Sequence, residues 1–66
     1  MKININGQKK QFGITCTLES LLDDLGYTNK KIAVEINGEI VPKSQIGKKL
    51  VVDGDRIEII KAVGGG

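Results

Sequence analysis

The chain has 66 residues with a formal charge of +2, 39% apolar and 27% charged residues, one cysteine and no histidine. A domain of this length buries only about 60% of the surface that its unfolded chain exposes, which excludes a second domain and a deep enzyme cleft. Cys16 by itself cannot form an internal disulfide or complete a zinc site, and apolar runs of only a few residues exclude a membrane-spanning helix.

The opening "MKININGQKKQFGI" alternates Met1, Ile3 and Ile5 with polar residues, then offers Asn6-Gly7, the dipeptide that best accepts the positive φ angles of a tight hairpin. This predicts strand, turn and strand, with Phe12 and Ile14 on one face of the returning strand and Gly13 as a weak point between them.

In "TLESLLDDLG" the period changes. Leu18, Leu21, Leu22 and Leu25 fall at i, i+3, i+4 and i+7, one stripe of a helix facing a core. Thr17 is the N-cap, Glu19 suits the positive end of the dipole, and Gly26 supplies the left-handed residue that ends the helix. Asp23 and Asp24 diverge by about 100 degrees around the axis, so they read as surface charges rather than a carboxylate pair.

"KIAVEINGEIVP" returns to period two, with Ile32, Val34 and Ile36 on one face, a second hairpin at Asn37-Gly38, and a short strand from Glu39 that Pro42 confines to an edge. "KSQIGKKL" reads as a single-turn or irregular connection, and Asp53-Gly54-Asp55 as the turn before the last strand, "RIEIIKAV". There Ile57, Ile59 and Val63 point one way, and Arg56, Glu58, Ile60 and Ala62 the other. One helix covers one side of such a sheet, so the order predicts an α+β roll with Ile60 and Ala62 as a candidate partner-contact face.

Lysines pair at Lys9-Lys10, Lys30-Lys31 and Lys48-Lys49, but only Phe12 and Tyr27 could stack on bases, so nucleic acid is not the expected partner. The opening residues lack the apolar core of a signal peptide, and the expected compartment is the cytoplasm. Cys16 precedes the helix with no histidine to activate it and reads as structural.

The ending "AVGGG" contributes nothing to a core, since glycine adds no side chain and loses the most freedom on ordering. It does leave a C-terminal carboxylate on an unhindered approach. Three extended residues reach about 10 Å beyond a last strand, enough to enter a narrow pocket of another protein while the folded body stays outside. A carboxylate is a poor electrophile; attack on the α-phosphate of ATP converts it to an acyl-adenylate, from which AMP departs readily, with a partner-held metal ion offsetting charge.

From Met1 to Gly66 the chain resembles the ThiS family, the ubiquitin-like sulfur-carrier proteins of thiamin biosynthesis. The residues that carry the resemblance are "MKININGQ", "TLESLLDDLG", "IAVEINGEIVPKSQ", "DGDRIEII" and "AVGGG". Ile46 departs from it, at a position where family members often carry tryptophan. The resemblance implies a β-grasp fold: a mixed sheet with one main helix on one face, and first and last strands side by side. The expected organisation is a domain over residues 1–63 and, because glycine gains nothing from ordering, a flexible tail over 64–66.

By the same resemblance a ThiF-type adenylyltransferase activates the Gly66 carboxylate with ATP and Mg, a persulfide supplies sulfur to form a thiocarboxylate, and thiazole synthase (ThiG) consumes it. Gly65 and Gly66 correspond to the family's terminal pair, and Gly64 extends the approach. The chain would be a protein co-substrate that holds no cofactor of its own. Two alternatives remain at this point: a MoaD-like carrier for molybdopterin synthase, and a β-grasp interaction module without tail chemistry.

Overall fold

A computed structural model describes residues 1–27 and 31–61. The first hairpin pairs β1 (Lys2–Ile5) with β2 (Gln8–Gln11). Its turn residues Asn6 and Gly7 have φ of 51° and 85°, the positive angles of a type I′ turn, whose twist matches that of the flanking strands. A second hairpin with the same chemistry joins β4 (Ile32–Ile36) to β5 (Glu39–Val41), with Asn37 at 53° and Gly38 at 87°.

The last strand, β7 (Arg56–Lys61), lies between the hairpins in a five-stranded sheet of order β2-β1-β7-β4-β5. It runs parallel to β1 and antiparallel to β4, the β-grasp arrangement. Period-two alternation sends Ile3, Ile5, Val34, Ile36, Ile57 and Ile59 to one face, where all six are buried.

Helix α1 (Leu18–Asp24) covers that face with buried Leu18, Leu21 and Leu22, while Leu25 is half-buried at its end. The Thr17 Oγ1 accepts from the Ser20 N–H at 3.2 Å, as an N-cap should. At the other end Gly26, at φ 85°, donates to the Asp23 carbonyl and Tyr27 donates to the Leu22 carbonyl, the paired bonds of a Schellman motif.

Two features depart from the expected elements. Strand β2 ends at Gln11, and Ile14 is 79% exposed rather than sharing a face with the half-buried Phe12. Phe12 pairs with Met1, its N–H donating to the Met1 carbonyl while the Met1 amine donates to the Phe12 carbonyl, and the chain leaves the ladder at Gly13. The second is a small sheet of β3 (Cys16–Thr17) and β6 (Leu50–Val51), which adds a strand after the helix beyond the three foreseen. The connection before it holds one helical turn, α2 (Lys43–Ile46), whose half-buried Ile46 packs on the core.

Candidate functional site

The site is the far end of β7 at Lys61, which the glycine ending follows in the sequence. Strand β1 accompanies β7 only as far as the pairs Asn4–Arg56 and Ile5–Ile57, whereas β4 continues to Ala33–Ile60 and Ile32–Lys61. β7 therefore outruns β1, and the turn asparagines extend its hold. On the β1 side the Asn6 N–H donates to the Ile57 carbonyl at 2.9 Å, and the Ile59 N–H donates to the Asn6 Oδ1 at 2.7 Å. On the β4 side the Asn37 N–H donates to the Arg56 carbonyl at 2.8 Å, and the Arg56 N–H donates to the Asn37 Oδ1 at 2.9 Å.

The base of β7 is fixed by Asp55, the buried charged residue among the described ones, at 8% exposure. Its Oδ1 accepts from the Asn37 Nδ2 at 3.0 Å and its Oδ2 from the Val52 N–H at 2.9 Å. Burial of this carboxylate is compensated because both oxygens are hydrogen-bonded.

Among the described residues no helix covers the outer face of the sheet. Ile60, 50% exposed, stands opposite the exposed Ala33, and Lys31, Lys43 and Lys61 join them around a shallow cleft of about 260 Å³. One step along, Glu35 and Glu58 are directly opposite each other, an arrangement of like charges that weakens a sheet. Ile40, also exposed, pairs with Glu35 from the edge strand.

Of the residues predicted for function, Ile60 lies where expected, on the water-facing side at the root of the ending. Ala62, Gly64, Gly65 and Gly66 lie outside the described residues, as does Val63. Cys16 sits in the small second sheet, half-buried against the core. Among the described residues no group of three or more His, Cys, Asp or Glu could hold a metal ion, and no helix is long and apolar enough to cross a membrane.

Sequence reasoning overlooked the lysines gathered beside Ile60 and the position of Tyr27. Lys31, Lys43 and Lys61 reach the cleft from separate stretches of the chain, Lys31 just before β4, Lys43 in α2 and Lys61 at the end of β7. Tyr27 follows the helix-ending glycine, and its ring lies 5.8 Å from the Lys61 Nζ.

A model of the ThiS family matches residues 3–66. The sulfur carrier protein ThiS of Escherichia coli is 35% identical over 66 residues that span the whole of both chains. A thiazole synthase of Paramagnetospirillum magneticum is 48% identical over the whole of this chain, which spans 20% of that protein's length. The crystal structure of the thiamine biosynthesis protein ThiS from Geobacter metallireducens superposes with a TM-score of 0.87 at 28% identity, covering all of both chains. The chain thus belongs to the ThiS family, whose Escherichia coli member is a sulfur carrier protein.

Proposed function

We propose that this chain is a sulfur carrier for the thiazole half of thiamin biosynthesis, with the Gly66 carboxylate as the group that is loaded. The observation that carries the reading is the family match that runs through residue 66, on a fold whose last strand outruns its parallel neighbour toward that end. The relatives named thiazole synthase, which contain a region similar to the whole of this chain, support thiazole synthase as the acceptor of the sulfur and favour the thiamin branch over molybdopterin.

In this reading the Gly66 carboxylate attacks the α-phosphorus of ATP on a ThiF-type adenylyltransferase, and pyrophosphate leaves. ATP and Mg belong to that enzyme. The terminal sulfur of a persulfide then displaces AMP from the acyl carbon, and a thiol cleaves the resulting S–S bond to release the thiocarboxylate, which donates its sulfur to thiazole synthase. Gly64 and Gly65 provide the side-chain-free approach, and Ile60 with Ala62 forms the contact face that registers the carrier on its partners.

The test is intact mass after incubation with ATP, the cognate adenylating enzyme and a persulfide donor with a thiol reductant. The expected product has one oxygen replaced by sulfur, placed at Gly66 by fragmentation. Unchanged mass under conditions that load a known ThiS would refute the reading.

A further inference from the structure

Resting on the carrier reading, we propose that Tyr27 is a positioning residue for the reactive ending, acting through the Lys61 side chain. Two independent structural facts meet here. The first concerns the strand: past Ile59, among the described residues, the last residues of β7 are paired only with β4, through Ala33–Ile60 and Ile32–Lys61. The second concerns the ring: the Lys61 Nζ lies 5.8 Å from the Tyr27 centroid, within the range in which an ammonium is attracted to an aromatic face.

Tyr27 is well placed to act as an anchor because its own backbone is fixed. Its N–H donates to the Leu22 carbonyl at 2.9 Å as the closing bond of the helix, and its half-buried ring packs on the core beside Leu25. Leu22 is itself in the core. A chain of contacts therefore runs from the buried face of α1 through the Schellman turn to the last described residue of β7. Lys61 in turn is the final strand residue before the segment that leads to Gly66.

The physical consequence is preorganisation. A partner that closes around the ending must fix the strand from which it departs, and whatever is already fixed in the free carrier need not be ordered on binding. The contact does not touch the reacting carboxylate, so its effect falls on recognition of the carrier and leaves the chemical step unchanged.

The experiment compares Tyr27→Leu, Tyr27→Phe, Lys61→Met, Lys61→Arg and the Tyr27→Leu/Lys61→Met double variant. In NMR spectra of the free chain, the Lys61 side-chain methylenes should show an upfield ring-current shift that Tyr27→Leu abolishes and Tyr27→Phe retains; dispersed amide spectra verify folding. With the adenylating enzyme and ATP, Tyr27→Leu and Lys61→Met should each raise KM for the carrier about two- to fivefold at unchanged kcat, the range expected of an exposed cation–π contact. Tyr27→Phe and Lys61→Arg should restore KM, and the double variant should be no worse than either single.

Unaltered KM in both Tyr27→Leu and Lys61→Met, a lowered KM in either, or a Tyr27→Phe protein as impaired as Tyr27→Leu would overturn the proposal. Failure of the unaltered chain to form an adenylate would instead overturn the carrier reading and with it the role in recognition, while the ring-current shift would still report whether the contact forms.

Discussion

The Ile59 N–H donates to the Oδ1 of Asn6 across 2.7 Å, so a turn side chain takes the place of a strand that has already ended. Asn6 thus has two tasks: it adopts the φ of 51° that the hairpin needs, and it prolongs the hold on β7. Asn6→Ala removes the acceptor, leaves a part-buried N–H unpaired and gives up the short polar side chain that lets asparagine visit the left-handed region. The lost partner costs about 1–3 kcal/mol. Urea unfolding should show a lowered midpoint at constant slope, and the Ile59 amide should lose hydrogen-exchange protection; Asn6→Asp, which keeps an acceptor, should lose less.

Gly38 and Gly47 should respond oppositely to alanine. Gly38 sits at φ 87°, where a β-carbon is strained even though nothing lies within 4 Å of it. Gly47 closes α2 at φ −72°, and its added β-carbon would meet the Glu19 carboxylate, Oε2 at 3.0 Å and Cδ at 3.9 Å, the movable end of a flexible side chain. Gly38→Ala is expected to lower stability by about 1–2 kcal/mol, whereas Gly47→Ala should change it by less than about 0.5 kcal/mol. Thermal melts of the two variants side by side check the contrast.

Much of this architecture can be read from the sequence because each element declares itself by period. Ile3, Ile5, Val34, Ile36, Ile57 and Ile59 alternate, the leucines of α1 recur at helical spacing, and two Asn-Gly pairs mark the hairpins. The small β3–β6 sheet is invisible to such reasoning, since two residues per strand carry no period and pairing joins Cys16 to the distant Val51. Ile14 misleads for a related reason: the alternation continues through it, but the ladder stops where Phe12 meets Met1. At the functional end, Ile60 is legible from strand parity, whereas the Tyr27–Lys61 contact depends on how far β7 extends beyond the helix terminus.

Asp55 ties three segments together, and its replacement separates charge from geometry. Asp55→Asn keeps the shape but turns one acceptor into a donor, which would face either the Asn37 Nδ2 or the Val52 N–H. One of these donors then loses its partner, at about 1–3 kcal/mol. Asp55→Ala strands both and should be the more damaging. Chemical denaturation ranks them, and a ranking with Asn below Ala would contradict the bonding described.

The outer face offers a separation of stability from recognition. Glu35 and Glu58 face each other across β4 and β7, and removing one charge should relieve their repulsion. Glu58→Gln is expected to stabilise the chain by about 0.2–1 kcal/mol, an effect that shrinks as added salt screens the charges. Ile60, half-exposed and opposite Ala33, makes the converse case. Ile60→Ser removes apolar surface that the isolated fold barely uses, so its melting temperature should stay close to that of the parent chain. If Ile60 is a partner contact, loss of that buried side chain at the complex interface should weaken binding of the adenylating enzyme by at least about 1 kcal/mol, roughly a fivefold rise in Kd by titration calorimetry. An Ile60→Ser protein that binds as tightly as its parent would remove this residue from the contact face while leaving the chemistry proposed for Gly66 untouched.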